Sequence, residues 1–185
     1  IAGRRMAETV ARRGGLVVLP QDIPVDVVRN VVDFVKSRHT IFDTPIIMSG
    51  EGTVGEALSL LHKRSHGAVL ILDEERKPRG IFTEHDAVGF DRFTQLHHVM
   101  NREVIAISQD KSVQQIHDQM NDSRLSFAPV VDKSGAVVGC ITRKGALRSA
   151  IYKPALDGQG PGGDGCRCHR CGYRSWSPEE NVGGR

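Results

Sequence analysis

Long hydrophobic runs are missing. The longest strictly apolar stretch is Ala68-Val69-Leu70-Ile71-Leu72, far short of the roughly 20 residues of a transmembrane helix. An excess of one charge is missing too. The chain has 25 Lys and Arg against 22 Asp and Glu, a net charge of +3, so charge gives no sign of a nucleic-acid or membrane partner. There is no disulfide framework. Cys140 stands alone, while Cys166, Cys168 and Cys171 crowd the C-terminal end, a usage that fits a reducing cytoplasm. No secretory signal is read, and the first residue is Ile, so the expectation is a fragment or processed product. No nucleophile elbow, Walker loop or dinucleotide glycine fingerprint occurs, and Cys140 lies in an apolar strand pattern and reads as core. No complete catalytic site is expected. The hydrophobic content of 39% is nevertheless enough for a packed core.

What is present begins with a helix and an apolar segment. Residues 4–13 place Met6 and Val10 on one face with Ala7 and Ala11 beside them, and Gly14-Gly15 ends the helix. Leu16-Val17-Val18-Leu19, closed by Pro20, reads as a short buried strand. No neighbouring strand is at hand to pair with it, so it is expected to be an exposed apolar edge prone to self-association. A second helix runs over residues 24–38, with Pro24 in its first turn and a stripe of Val28, Val31, Val32 and Val35.

The middle of the chain is a duplication. A shift of 59 residues puts Thr53 on Ser112, Asp73 on Asp132, Gly80 on Gly139, Thr83 on Thr142 and Ala87 on Ala146, without a gap. Each copy reads strand, helix, strand, turn, strand, helix. The first copy gives 46–48, 53–65, 68–72, 79–82 and a helix from about Glu84. The second gives 104–107, 112–122, 128–131, 136–141 and a helix from about Arg143. Both first helices open on a capping box, Thr53 with Glu56 and Ser112 with Gln115. Neither copy has enough residues for a large core, but two packed face to face do.

The strongest constellation is Gly80-Ile81-Phe82-Thr83-Glu84-His85-Asp86, a strand running into a helix start. Backbone N–H groups there attract phosphate, Thr83 offers a hydroxyl, and the Asp86 carboxylate can accept the two hydroxyls of a ribose. Gly80 admits a ligand or a neighbouring strand. Thr83-x-x-Asp86 is equally a capping box that needs no ligand. The second copy keeps Thr142 but has Gly145 in place of the acid, which suggests one good ribose site and one impaired site. Arg143 and Lys144 begin its helix, where an anion would offset their clash with the helix dipole. Lys63 and Arg64 read as solvated surface. His62 and His66 lack a completing ligand, and the Cys166–Cys171 run is too tightly spaced for a structural zinc site, so no metal is expected.

The duplicated Gly-x-x-Thr segments resemble those of a pair of cystathionine-β-synthase (CBS) domains, and the resemblance covers about residues 44–153. It implies an α+β fold: tandem β-α-β-β-α repeats, CBS domain 1 at 44–98 and CBS domain 2 at 99–157, after a connecting helix at 23–43. It implies an adenine nucleotide as ligand, with contacts at Thr83, Asp86, Thr142 and Arg143, and self-association through the CBS faces. Residues 6–15 with the following apolar segment, Leu19 to Asp22, and Ala146 to Asp157 resemble the flanks of the CBS insert in the IMP dehydrogenase/GMP reductase superfamily, especially its bacterial CBS-containing GMP reductase branch. Residues 1–22 would then be a helix and strand left from a TIM barrel. The parent would be an NADPH-dependent oxidoreductase whose catalytic residues lie outside this chain. From 158 onward the composition turns Gly- and Cys-rich. A one-base shift after Gly160, given suitable codons, would restore a barrel-like continuation, so 161–185 are expected to be an out-of-frame tail. The alternative is a free-standing CBS sensor that acts by binding a partner.

Overall fold

The computed structural model describes residues 3–20 and 22–154. The chain divides into two compact units, one holding its first 38 residues and the other spanning 39–152.

In the first unit, α1 (Arg4–Arg12) packs on α2 (Val25–Lys36) through Ala7, Ala11 and Val35, with Val17, Val31 and Phe34 at the edge. The buried face of α1 is turned from the one its periodicity suggests. Met6 is 57% exposed, whereas Glu8 is only 1% exposed. Alanine at 7 and 11 lets the helices approach closely, and Glu8 tolerates burial because Arg12 Nη2 donates to its Oε1 at 2.7 Å. Residues 16–19 form no strand. A strand is stable only against a partner, and among the described residues none pairs with this one. Leu16 and Val18 are 63% and 79% exposed.

The second unit contains two three-stranded sheets. The first has the order β1 (Ile46–Met48), β2 (Ala68–Leu72), β3 (Pro78–Thr83), and the second β4 (Ile107–Ser108), β5 (Phe127–Val131), β6 (Val137–Thr142). In each sheet the first pair is parallel and the second antiparallel. The parallel pairs are joined by crossover helices, α3 (Val54–Leu61) and α5 (Val113–Asp122). Both helices carry the expected capping boxes. The duplication extends to irregularities: the register slips between Ile71 and Leu72, and again between Val130 and Val131.

Burial on both faces explains why the central strands read as continuous apolar runs. On β2, Val69 and Ile71 pack under α3 with Val54, Ala57, Leu61, Phe82 and Leu96. Ala68 and Leu70 point the other way, into a cluster with Phe127, Val137 and Cys140 of the second copy. That cluster is the seam between the halves. The second copy has its own core of Ile107, Ile116, Met120, Ala128, Val130, Ile141 and Ala146, completed by Phe42 from ahead of the first copy.

Two edge bridges tie the copies further. Asp43 exchanges backbone hydrogen bonds with Cys140, both 2.8 Å, and Asn101 with Ile81, both 2.9 Å. The segment entering each copy thus seals the third strand of the sheet it lies against.

The matched aspartates lock the hairpin turns. Asp73 Oδ1 accepts from Lys77 N at 2.8 Å, and Asp132 Oδ1 accepts from Ser134 N and Oγ and from Ala136 N. The Lys77 amide chiefly lowers the Asp73 pKa below the ordinary 3.8, and the Ser134 hydroxyl chiefly lowers that of Asp132. A carboxylate with a lowered folded pKa contributes stability above its unfolded value and loses it as pH falls through the folded value. The protein is therefore expected to lose stability as pH falls below about 3.8, and Asp132→Asn to lose less over that window. Urea midpoints at pH 6 and pH 3 measure this; equal acid losses in both proteins would refute it.

The last helix differs between copies. Residues expected to form a helix from Glu84 make only a 3-10 turn, Glu84–Ala87. Gly89 then takes a φ of +89°, and the chain loops back. Arg92 O and Thr94 O accept from the first amides of α3, Gly55 N at 2.8 Å and Val54 N at 2.9 Å. The loop so satisfies donors that a helix end leaves open, before the short α4 (Leu96–Val99). In the second copy α6 (Arg143–Ile151) runs for nine residues. Strand β4 is also shorter than expected. Asn101 Oδ1 accepts from Glu103 N, and Arg102 O from Val104 N, which turns 101–104 away from extended pairing.

Candidate functional site

The third strands β3 and β6 end on Thr83 and Thr142. Thr83 pairs with Ala68 and Thr142 with Phe127, so each threonine sits beside the start of its central strand. The starts of the two central strands meet: the ring of His66, two residues before Ala68, stacks on Phe127 with centroids 5.3 Å apart and 29° between planes. Thr83, Thr142 and His66 therefore border one seam.

In the first copy the threonine and the acid hold each other. Asp86 Oδ2 accepts from Thr83 N and from Thr83 Oγ1, each at 2.7 Å. The capping alternative of the sequence is thus realised. The hydroxyl proton of Thr83 is used on Asp86, while no described residue donates to Asp86 Oδ1. Because a single 3-10 turn follows, the helix dipole expected behind Thr83 is lacking.

In the second copy Thr142 caps a full helix. Its Oγ1 accepts from Gly145 N at 2.9 Å, which leaves its hydroxyl proton available to another acceptor. Arg143 N donates to Ser126 O at 3.2 Å, and its side chain is exposed.

Gly80 and Gly139 serve neighbouring chain rather than open space. A Cβ on Gly80 would meet the Met100 side chain, its Cγ at 2.8 Å, and a Cβ on Gly139 would meet Phe42 Cβ at 2.7 Å and Asp43 O at 3.2 Å. Of the two possibilities open for Gly80 in the sequence, a neighbouring segment is the one observed.

The structure adds two residues to the set. His66 Nε2 is buried with no hydrogen-bond partner among the described residues. Burial chiefly lowers its pKa, opposed by the Asp43 carboxylate and assisted by Arg64. Arg64 is thus half-buried beside this seam rather than a purely solvated residue. Asp43 is the other addition. A Cβ at Gly145 would lie 3.0 Å from Thr142 Oγ1 and 3.9 Å from Asp43 Oδ2. The one signal that could have found Asp43 is the match of Phe42-Asp43 to Met100-Asn101, which is offset by 58 rather than 59 and is hidden by a gapless overlay. The Cys166–Cys171 run lies outside the described residues.

The CBS domain family model matches residues 40–91 and 96–151. GMP reductase of Mycobacterium tuberculosis is 40% identical over 160 residues, which are 86% of this chain and 33% of that protein. The chain thus spans about a third of the length of this curated relative. A solved GMP reductase of Trypanosoma brucei in complex with guanosine 5'-monophosphate superposes with a TM-score of 0.62 at 24% identity, over 86% of this chain and 36% of that one. The CBS domain pair of protein MJ0100, solved with 5'-methylthioadenosine and S-adenosyl-L-methionine, is 29% identical with a TM-score of 0.52, over 58% of this chain and 90% of that one. No described helix is long and apolar enough to cross a membrane. With two contiguous matches on the two structural copies, the chain belongs to the CBS domain family.

Proposed function

We propose that this chain is the nucleotide-responsive regulatory module of a cytoplasmic purine nucleotide oxidoreductase of the GMP reductase/IMP dehydrogenase type. In this reading residues 44–98 and 99–157 are its two CBS domains. ATP or a related adenine nucleotide lodges at the seam, with its ribose on Asp86 and its phosphates near Thr83. Thr142 and Arg143 are the corresponding residues of the second copy. Catalysis, with NADPH as reductant, belongs to a barrel outside these residues, and the chain by itself has no turnover. Copies associate through their CBS faces.

The observation that carries this reading is the seam itself. Ala68 and Leu70 of one copy and Phe127, Val137 and Cys140 of the other make one buried cluster, with Thr83 and Thr142 at its border. The adenosine compounds held by the MJ0100 pair support adenine as the base. A nucleotide that contacts both halves binds one relative packing better than another, and an attached barrel responds to that difference in affinity. Only Oδ1 of Asp86 is without a described donor, so ribose binding requires the carboxylate to share or exchange its cap bonds.

The test is calorimetric titration of the chain with ATP. Asp86→Ala is expected to weaken binding about tenfold or more, the worth of a charge-assisted hydrogen-bond pair. Equal affinity in both proteins would exclude Asp86 as the ribose acceptor. No NADPH oxidation is expected on adding GMP.

A further inference from the structure

Each copy exposes large apolar side chains just after its third strand. Five and ten residues after Thr83 stand Val88 and Phe93, and five and ten after Thr142 stand Leu147 and Tyr152. Phe93 is 86% exposed and Ile151 74%, and Val88, Phe90, Leu147 and Tyr152 are exposed as well. Single exposed apolar residues are ordinary, but a cluster of them marks a surface that something covers. Here there are two clusters, at matched places in the duplication.

Both clusters are held by backbone hydrogen bonds. In the first, Asp91 Oδ1 accepts from Phe93 N at 2.8 Å, Phe90 N donates to Ala87 O at 3.2 Å, and Thr94 N donates to Asp91 O at 3.0 Å. In the second, the 3.6-residue period of α6 puts Arg143, Lys144, Leu147, Arg148 and Ile151 on its exposed face. Fixed side chains lose little entropy on docking. The two faces differ in charge. The first carries the exposed acids Glu84 and Asp91. Its one Lys or Arg, Arg92, lies along α3, with Nε 3.5 Å from the point where a Gly55 Cβ would be. The second carries Arg143, Lys144 and Arg148, all exposed and in no ion pair among the described residues.

We propose that these two faces dock on each other between two molecules of this chain, residues 88–93 of one against α6 of its partner. Opposite charges favour the first face against the second and set each face against its own kind. The pairing is therefore antiparallel, first copy to second copy. One such contact is small. A large aromatic side chain offers about 150–250 Å², whereas a stable interface buries about 800 Å² per partner. Two-fold symmetry makes the contact twice and closes the pair. This inference specifies the self-association through CBS faces stated above, and it does not depend on nucleotide binding.

Sedimentation equilibrium of the full chain without nucleotide tests it. A dimer is expected, and its dissociation constant should rise with salt as the exposed charges are screened. Phe93→Ala is expected to weaken the dimer about tenfold or more. Two charge variants then decide which faces meet. Glu84→Lys with Asp91→Asn, which keeps an oxygen acceptor for Phe93 N, should weaken the dimer. Lys144→Glu with Arg148→Glu should weaken it as well. All four changes in one chain should restore it, because the charges are then exchanged rather than lost. All of these side chains are exposed, and circular dichroism checks that each variant is folded. A four-fold variant no tighter than the two-fold variants overturns the antiparallel pairing. A dimer that none of the variants weakens overturns this surface and leaves self-association standing. A chain that stays monomeric overturns both, and the two faces then belong to another occupant, such as the rest of a larger parent protein.

Discussion

Leu70→Asp is expected to unfold both copies at once. Leu70 is fully buried on the seam face of β2, packed with residues of β5 and β6. Removing such a side chain costs about 2–5 kcal/mol, and burying an unpaired polar group adds about 1–3 kcal/mol. Together these rival the whole stability of a typical domain, about 5–15 kcal/mol. The loss falls on the cluster both copies share, so neither is expected to keep a separate melting transition. Val138→Asp is the control. Val138 lies on β6 but is 42% exposed, and a change there is expected to cost less than about 0.5 kcal/mol. Circular dichroism melts of the two variants decide. A Leu70→Asp protein that retains a cooperative transition for residues 104–151 would show that the copies stand independently.

Gly139→Ala is expected to destabilise far more than Gly80→Ala, although the two glycines are equivalent in the duplication. At Gly80 the new methyl meets the Met100 side chain, which is flexible and half-buried and can move aside. A cost of about 1 kcal/mol follows. At Gly139 it meets Phe42 Cβ at 2.7 Å and the Asp43 carbonyl oxygen at 3.2 Å. Phe42 is 3% exposed within the core of the second copy, so it has nowhere to go without opening the Asp43–Cys140 bridge. Overpacking of this kind costs about 3 kcal/mol, which lowers the melting temperature by roughly 10 °C. Urea midpoints would measure the gap. Equal losses would mean that the sealing segment yields as readily in one copy as in the other.

Much of this was legible because it is written in local periodicity. The overlay of Asp73 on Asp132 marks two turns in which the carboxylate accepts backbone amides. The run Ala68 to Leu72 signals a strand buried on both faces, and Thr53 and Ser112 announce helix starts. Less was legible where a partner distant in sequence decides. The α1 stripe misled because Ala7 and Ala11 face α2, and the pairing of Glu8 with Arg12 makes the burial of Glu8 tolerable. The helix expected after Thr83 gives way to a turn because residues 92–94 are drawn back to cap α3.

Thr83 and Asp86 were identified from their spacing, but a three-residue spacing cannot say whether the acid faces its own cap or a ligand. That choice depends on hydrogen-bond geometry, and here Oδ2 turns to Thr83. Asp43 was missed because the residue it stands beside, Gly145, lies 102 positions away, and its own counterpart in the duplication is offset by 58 rather than 59. The order of elements, the duplication and the two threonines follow from sequence alone, since capping and alternation act between residues a few positions apart. Which sheet faces meet, and which segments lie against Gly80 and Gly139, was decided only when the copies packed, because side chains far apart along the chain become neighbours through burial of the shared apolar face.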